Sequence, residues 1–567
     1  MANMPLKPRI EFRDFSFTYP GRTPASGGGV YRPALDAISF SLGAGEMAVV
    51  SGRNGAGKST LTLAANGTIP FLLKGGNATG GVFLDGEAMG QPSKMADRVG
   101  VVFQDFESQL VSSSVTLETA FPLENAGWEP ARQAGRVEKV LEMVGLAGFG
   151  ERVPSELSGG EKQRLAIAAA MALEPALLVL DEPLTDLDPV GKAQVLETIG
   201  RLRAHGVTIL IVEHDPLAFL SADSLLVLDG GKLVWQGHPR EILANPEKCR
   251  ELGLPGWPPA VVARSAGLPA DAVTVDEVAQ LLSGHPRVAA VNSPAPKLTT
   301  NHLPLITVSN LSSGYPGGPE VLHDVSLDIR EGECISLLGQ NGSGKTTLAK
   351  HLCGLVKPRK GDVIVAGRPV AEYRQAELSR ISGYVFQNPD HQIFSATVGE
   401  EVGFGLHNLG LGLEEAKART TEALRAVGLD GREAEDPFSL TRGERQCLAV
   451  ASLLAYRPRM IIFDEPTTAL DAVESLKMVQ FISELNRRGT TVLLVTHTMW
   501  VAAEYSSRIV VMGGGKIVMD GPVREVFARE AELAALSLMP PPAASLANRL
   551  GIAEVAVDGL LAVLGLK

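Results

Sequence analysis

Short, unbroken apolar runs alternate along the chain with longer stretches in which apolar positions recur three and four residues apart. ALLVLDEP and TILIVEHD contain runs of this short kind, each ending at a polar residue. Runs like these predict strands buried on both faces, as in a parallel sheet covered by helices on each side. AVVSGRNGAGKSTLTLAA predicts a strand, a glycine loop and a helix in that order. The class is α/β, of the nucleotide-binding kind.

The same pattern occurs twice. Lys58 and Lys345, Asp181 and Asp464, and His214 and His497 are paired at a spacing of 283 to 287 residues, which marks a tandem duplication rather than a solenoid. Each copy is of a size to hold its own core. The boundaries expected are a first domain over 1–245, a linker with a short helical appendix over 246–302, a second domain over 303–530 and a C-terminal helical appendix over 531–567. The stretch from Trp257, WPPAVVARSAGLPADAVTVDEVAQLL, is similar to MPPPAASLANRLGIAEVAVDGLLAVL from Met539, so an appendix is expected after each copy.

Bulk composition narrows the task. The 567 residues are 45% apolar and 20% charged, which is the balance of a folded protein. A net charge of −12 argues against a protein that coats nucleic acid. Cys249, Cys334, Cys353 and Cys447 form no CxxC pair, so neither a zinc site nor a disulfide framework is expected. The N-terminal stretch has no long apolar core, and no signal peptide is expected. The apolar run Leu165–Leu180 is broken by Glu174 and Pro175, short of the roughly 20 residues that span a bilayer.

GRNGAGKS from Gly52 and GQNGSGKT from Gly339 both match GxxxxGK[ST] between a strand and a helix, the context the motif requires. Glycines let backbone N–H groups wrap phosphates, the helix N-terminus adds positive potential, and the lysine reaches the terminal phosphates. The candidate nucleotide contacts are Gly52, Asn54, Gly55, Gly57, Lys58, Ser59 and Thr60 in one copy, and Gly339, Asn341, Gly342, Gly344, Lys345, Thr346 and Thr347 in the other. Ser59 and Thr346 are candidate Mg²⁺ ligands, joined by Asp181 and Asp464 at strand ends. Beside them Glu182 and Glu465 are placed to polarise an attacking water. His214 and His497 follow the next apolar strands and fall near the same sheet edge.

These elements resemble the ABC ATPase family, and LSGGEKQR over Leu157–Arg164 is the motif that decides it. The resemblance implies two phosphate-loop domains, each with a mainly parallel sheet flanked by helices, a small antiparallel β subdomain and a helical subdomain. It implies ATP and Mg²⁺ as cofactors and two ATP sites within one chain, each phosphate loop being completed by the other copy's signature. By it, Ser158, Gly159 and Gly160, and in the second copy Thr441, Arg442 and Gly443, contact nucleotide. Tyr19 and Tyr315 match the adenine-stacking aromatic, and Gln104 and Gln387 the glutamine that senses metal and nucleophile. Asp188 and Asp471 close the loop after the carboxylate pair.

FQNPDHQIFSATVGEEVGFG from Phe386, and more loosely FQDFESQLVSSSVTLETAFP from Phe103, resemble the ATPases of energy-coupling factor transporters. There an acidic residue on a short helix meets arginines of a membrane subunit. Asp390 and Glu107 are the acidic candidates, and Gln392 and Gln109 flank them. The resemblance implies an ATP-hydrolysing subunit that energises an importer of a vitamin or transition metal ion. Its expected place is peripheral, on the cytoplasmic face of the cell membrane, with a transmembrane coupling subunit and a membrane substrate-capture subunit as partners and no nucleic acid. The alternatives are the ATPase of a sugar-type importer, and a tandem translation factor on the ribosome, which the lysine-poor linker disfavours.

The second signature reads LTRGE where the first reads LSGGE. A left-handed backbone at Arg442 would cost roughly 1–2 kcal/mol, while its guanidinium could contact phosphate. The expectation is an asymmetric pair of sites in which the one built on Lys345 hydrolyses faster.

Overall fold

The computed structural model describes residues 8–20, 33–73, 75–284, 304–468 and 470–566. The chain divides into two compact units, Met1–Val273 and Thr274–Lys567. Each unit contains the expected α/β fold, with the antiparallel and helical additions that the family resemblance implied.

In the first unit, strands β1 (Ile10–Thr18), β2 (Leu35–Leu42), β3 (Met47–Gly52), β4 (Asn77–Leu84), β5 (Glu87–Ala88), β6 (Val99–Val102), β7 (Leu177–Asp181), β8 (Thr208–Val212), β9 (Ser224–Asp229) and β10 (Lys232–Gly237) form two sheets. The antiparallel sheet runs β2-β1-β4-β5, and the main sheet runs β10-β9-β3-β8-β7-β6. All main-sheet neighbours are parallel except β9 and β10.

Every residue of β3, β7 and β8 is buried. Alternation sends Val49, Leu178, Leu180, Ile209 and Ile211 into one core and Ala48, Val50, Leu177, Val179 and Leu210 into the other. This two-sided burial is why the strands read as continuous apolar runs. The helices Val115–Asn125, Pro130–Met143 and Gly159–Met171 pack on one another as the helical part.

The second unit repeats the plan with β11 (Pro304–Ser313), β12 (Leu322–Arg330), β13 (Cys334–Gly339), β14 (Lys360–Val365), β15 (Arg368–Pro369), β16 (Ser382–Val385), β17 (Met460–Asp464), β18 (Thr491–Val495), β19 (Arg508–Gly513) and β20 (Lys516–Pro522). Its sheets are ordered β12-β11-β14-β15 and β16-β17-β18-β13-β19-β20. Register places Asp181 opposite Val212 and Asp464 opposite Val495, so in each unit the carboxylate pair and the histidine lie at the same strand ends. In open α/β sheets, ligands bind at that edge.

Each similar stretch after a copy forms a pair of short helices, Pro258–Ser265 with Val275–Leu282, and Pro542–Arg549 with Val557–Leu564. The unit boundary divides the first pair. Trp257 and Ala260 join the first unit's core, and the Trp257 indole donates to the Val273 carbonyl. Val275–Leu282 instead packs on Pro542–Arg549 in the second unit, where Arg549 and Asp276 pair at 2.9 Å. No described helix is long and apolar enough to cross a membrane.

Candidate active site

The two phosphate loops leave β3 and β13 and open the helices Lys58–Ala65 and Lys345–Leu352. Gly57 and Gly344 precede those helices at φ 102° and 99°, a conformation that a side chain would oppose. Lys58 and Lys345 are 5% and 7% exposed. The Lys58 ammonium donates to the Gly52 and Arg53 carbonyls at 2.9 Å each, and that of Lys345 to Gly339 at 2.8 Å and Gln340 at 3.0 Å. Asn54 and Gly55, and Asn341 and Gly342, occupy the loops between them. Thr60 and Thr347 are buried on the helices that follow.

Asp181 and Asp464 stand at the strand ends beside these loops. Thr346 donates its hydroxyl to Asp464 Oδ2 at 3.1 Å. Burial, with the Glu182 charge adding, pushes the Asp181 carboxyl up to about 6 against the pull of the Ser59 hydroxyl. Asp181 Oδ1 is buried without a hydrogen-bond partner among the described residues. A buried carboxylate oxygen in want of a partner, next to a hydroxyl, fits a hard divalent cation such as Mg²⁺ that completes its shell with phosphate and water. Burial raises Asp464 likewise, but hydrogen bonds from the Tyr384 and Thr346 hydroxyls oppose it.

Glu182 and Glu465 both adopt φ of 50°, strained for a non-glycine residue at about 1–2 kcal/mol. Their surroundings differ. Glu182 Oε2 accepts from Gln104 Nε2 at 2.8 Å and from Thr185 Oγ1 at 3.3 Å, and its Oε1 is 3.8 Å from His214 Nε2. Glu465 Oε1 lies 2.8 Å from His497 Nδ1, and its Oε2 accepts from Thr496 Oγ1 at 3.2 Å. Gln387 is exposed at the end of β16.

Both signatures are helix N-termini closed by reciprocal capping. Ser158 caps Gly159–Met171: Glu161 N–H donates to its hydroxyl, and its own N–H donates to Glu161 Oε2 at 2.7 Å. Thr441 and Glu444 do the same for Arg442–Leu454, with Thr441 N–H 2.8 Å from Glu444 Oε2. Serine or threonine followed by glutamate three residues on is therefore a capping box, and the free N–H groups of the first turn suit an anion.

Arg442 corrects the expectation of strain, because it is the first residue of a regular helix and not left-handed. At its counterpart Gly159 a Cβ would press on Leu187 Cδ2 at 3.3 Å, a contact with the end of a side chain rather than with backbone. The next position is the closer approach: a Cβ on Gly160 would stand 3.1 Å from Gly191 Cα in the backbone, and one on Gly443 2.7 Å from Oε1 at the end of the Glu474 side chain.

The aromatic candidates divide. Tyr19 is half-buried, with its hydroxyl 3.1 Å from Thr60 Oγ1, whereas Tyr315 is 39% exposed with Lys350 Nζ 5.3 Å from the ring centroid. Asp188 and Asp471 cap the helices Pro189–Ala204 and Ala472–Arg487. Asp390 and Glu107 are already engaged within their own domains. Asp390 pairs with Arg445 at 2.6 Å and Glu107 with Lys162 at 2.8 Å, both cations lying on signature helices. Gln392 donates to the Ala449 carbonyl and Gln109 accepts from Phe103 N–H, so both turn back on their own chain.

Two residues at the site were not anticipated. Tyr384, buried on β16, donates to Asp464 Oδ2. Glu213, 3% exposed, accepts three backbone N–H bonds. The copies differ at these places, with Val101 matching Tyr384 and Thr496 matching Glu213, and that difference within an otherwise close repeat was the available signal.

Burial, then the nearby Asp215 charge, pushes the Glu213 carboxyl up to about 7, with Glu182 adding to the rise and Lys192 opposing it. Between the ordinary glutamate range and pH 7 the folded chain holds a proton that the unfolded chain releases, so this group's stabilising contribution falls as pH rises. Relative to the wild type, Glu213→Gln should gain on the order of 3 kcal/mol in stability between about pH 4.5 and about pH 8. Denaturation followed by tryptophan fluorescence reads this, since Trp128, Trp235 and Trp257 lie in the first unit and only Trp500 in the second.

Two phosphate loops, strand-end carboxylates and capped glycine helices define a nucleoside triphosphatase of the phosphate-loop class. The sequence profile described as ABC transporter matches residues 35–185 and 322–468. An ABC transporter ATP-binding protein from Caldanaerobacter subterraneus is 42% identical over 544 residues, 94% of this chain and 95% of that one. One from Methanosarcina acetivorans is 39% identical over 584 residues, 99% and 93% of the two chains. The chain belongs to the ABC transporter family, as a tandem ATP-binding protein with ATPase domains. Among solved structures, cbiO1 from Clostridium perfringens, part of the ABC transporter complex cbiONQ, is 30% identical, with a TM-score of 0.38, covering 43% of this chain and 98% of that one.

Proposed function

We propose that the chain energises an importer of the energy-coupling factor type, for a vitamin or a transition metal ion, from the cytoplasmic face of the membrane. In this reading a transmembrane coupling subunit receives the stroke and a separate membrane subunit captures the solute. Lys58 and Lys345 bind the terminal phosphates, and Ser59 with Asp181, and Thr346 with Asp464, would hold Mg²⁺ alongside Gln104 and Gln387. The bound cation supplies charge neutralisation at the γ-phosphate. Glu182 and Glu465 accept a hydrogen bond from the attacking water, with His214 and His497 beside them.

The observation that carries the membrane partner is an exposed apolar groove of about 830 Å³ in the second domain. Phe394, Phe404 and Leu413 line it at 63%, 50% and 71% exposure, and the two phenylalanine rings meet edge to face at 4.8 Å. It follows the short helix Pro389–His391 in the stretch that resembles energy-coupling factor ATPases. Val111 and Phe121 stand exposed at the matching positions of the first domain, after the short helix Glu107–Gln109. Solvent-exposed aromatic clusters of this kind suit a protein partner.

Replacing Phe394 and Phe404 together by alanine should weaken the complex with the membrane subunit by about 30-fold or more, the loss of a buried aromatic anchor. Affinity for detergent-solubilised membrane complex, with the melting temperature as a check on folding, measures it. Unchanged affinity would overturn this docking face.

A further inference from the structure

The residue before each site histidine differs between the copies, and it touches different groups. Glu213 Oε2 accepts from Leu184 N–H at 3.1 Å, and its Oε1 accepts from His214 N–H at 2.7 Å and Asp215 N–H at 3.2 Å. One buried carboxylate thus fastens the loop after Glu182 to the turn that carries His214. In the second domain Thr496 does the opposite, donating its hydroxyl to Glu465 at 3.2 Å while accepting from Thr498 N–H at 2.9 Å.

Both Glu213 oxygens are turned to the backbone N–H groups of Leu184, His214 and Asp215, so Glu213 gives Glu182 no hydrogen bond where Thr496 gives Glu465 one, and Asp215 places a negative charge nearby that Lys192 offsets through a 2.8 Å pair. The counterparts of Asp215 and Lys192 in the second domain are Thr498 and Ser475, both neutral. Glu182 turns to Gln104 at 2.8 Å and stays 3.8 Å from His214, against 2.8 Å for Glu465 and His497.

We propose that Glu213 is a positioning residue that holds the Glu182 carboxylate away from His214 and so lowers the hydrolytic rate of the first domain's site. This rests on reading Glu182 as the carboxylate that polarises water. Its two oxygens are engaged by the Leu184, His214 and Asp215 N–H groups, so it acts through the geometry of Glu182.

The test uses the full chain with Glu465→Gln as background, so that turnover reports the first domain's site. Adding Glu213→Thr should raise kcat about fivefold, a fraction of the roughly 10²–10⁴ that a well-placed acid–base group supplies. KM for ATP should stay within about twofold, because ground-state binding is untouched. Glu213→Gln keeps an acceptor oxygen and loses the charge, and should move kcat in the same direction, which guards against a packing effect of threonine. Adding Glu182→Gln should abolish the gain. A kcat in Glu213→Thr and Glu213→Gln at or below that of the background, or a gain that survives Glu182→Gln, would overturn the inference. If Glu182→Gln with Glu465→Gln still turns over as fast as Glu465→Gln alone, the role of Glu182 itself fails. If that pair is silent and the Glu213 variants are unmoved, only the positioning role fails.

Discussion

The chain carrying Lys58→Ala together with Lys345→Ala is expected to release phosphate from ATP at about a hundredth of the wild-type rate or less. Both ammonium groups are buried, and each sits on carbonyls of its own loop. Phosphoryl transfer is catalysed mainly by positioning and by fixed charge around the transferring group. Removing one preorganised electrostatic contact costs about 2.7–4 kcal/mol, a factor of about 10²–10³. Both sites lose theirs here, so no intact site remains to carry turnover. Substantial residual hydrolysis by the purified double variant would sink the assignment of the loops as the nucleotide sites.

The second large effect separates the two sites. Glu465→Gln should cut total turnover to about a tenth or less, within the range of a lost general base, while Glu182→Gln should leave at least about half. Glu465 is oriented by His497 at 2.8 Å and by the Thr496 hydroxyl, so its carboxylate is held from two sides. Glu182 is drawn instead to Gln104, with His214 at 3.8 Å. Steady-state phosphate release from the two single variants under saturating ATP compares them. Equal losses would contradict an asymmetric pair.

Asymmetry was expected from the sequence on another ground, and the difference is instructive. Arg442 replaces a glycine in a glycine-rich motif, a change that by itself predicts backbone strain. The capping box makes that position the first residue of an ordinary helix with negative φ, and the closer approach falls one residue later at Gly443. Which of two adjacent glycines meets a neighbour depends on the packing of the helix Ala472–Arg487 against the signature helix, and a motif does not encode that distance.

Much of the fold was legible because its causes are local. Strands buried on both faces read as continuous apolar runs, a glycine loop between strand and helix has one common use, and the duplication doubled each signal. The site was legible as far as residue types at strand ends could take it. What escaped were contacts between distant segments: Tyr384 reaching Asp464 across neighbouring strands, Glu213 reaching Leu184, and Arg445 and Lys162 satisfying the acidic residues expected to face a partner. Side-chain pairing across elements depends on register and rotamer, which periodicity does not carry. The helix Val275–Leu282 is a similar case, since its amphipathic pattern showed a helix without showing that Pro542–Arg549 would receive it.

Purifying the full chain from detergent-solubilised membranes of its own cells, and identifying what accompanies it, tests whether ATP hydrolysis by this chain drives a membrane partner. The account predicts a multi-spanning membrane subunit in stoichiometric amount, together with a smaller membrane protein that binds the solute. Ribosomal proteins as the main companions, or no membrane protein at all, would contradict it.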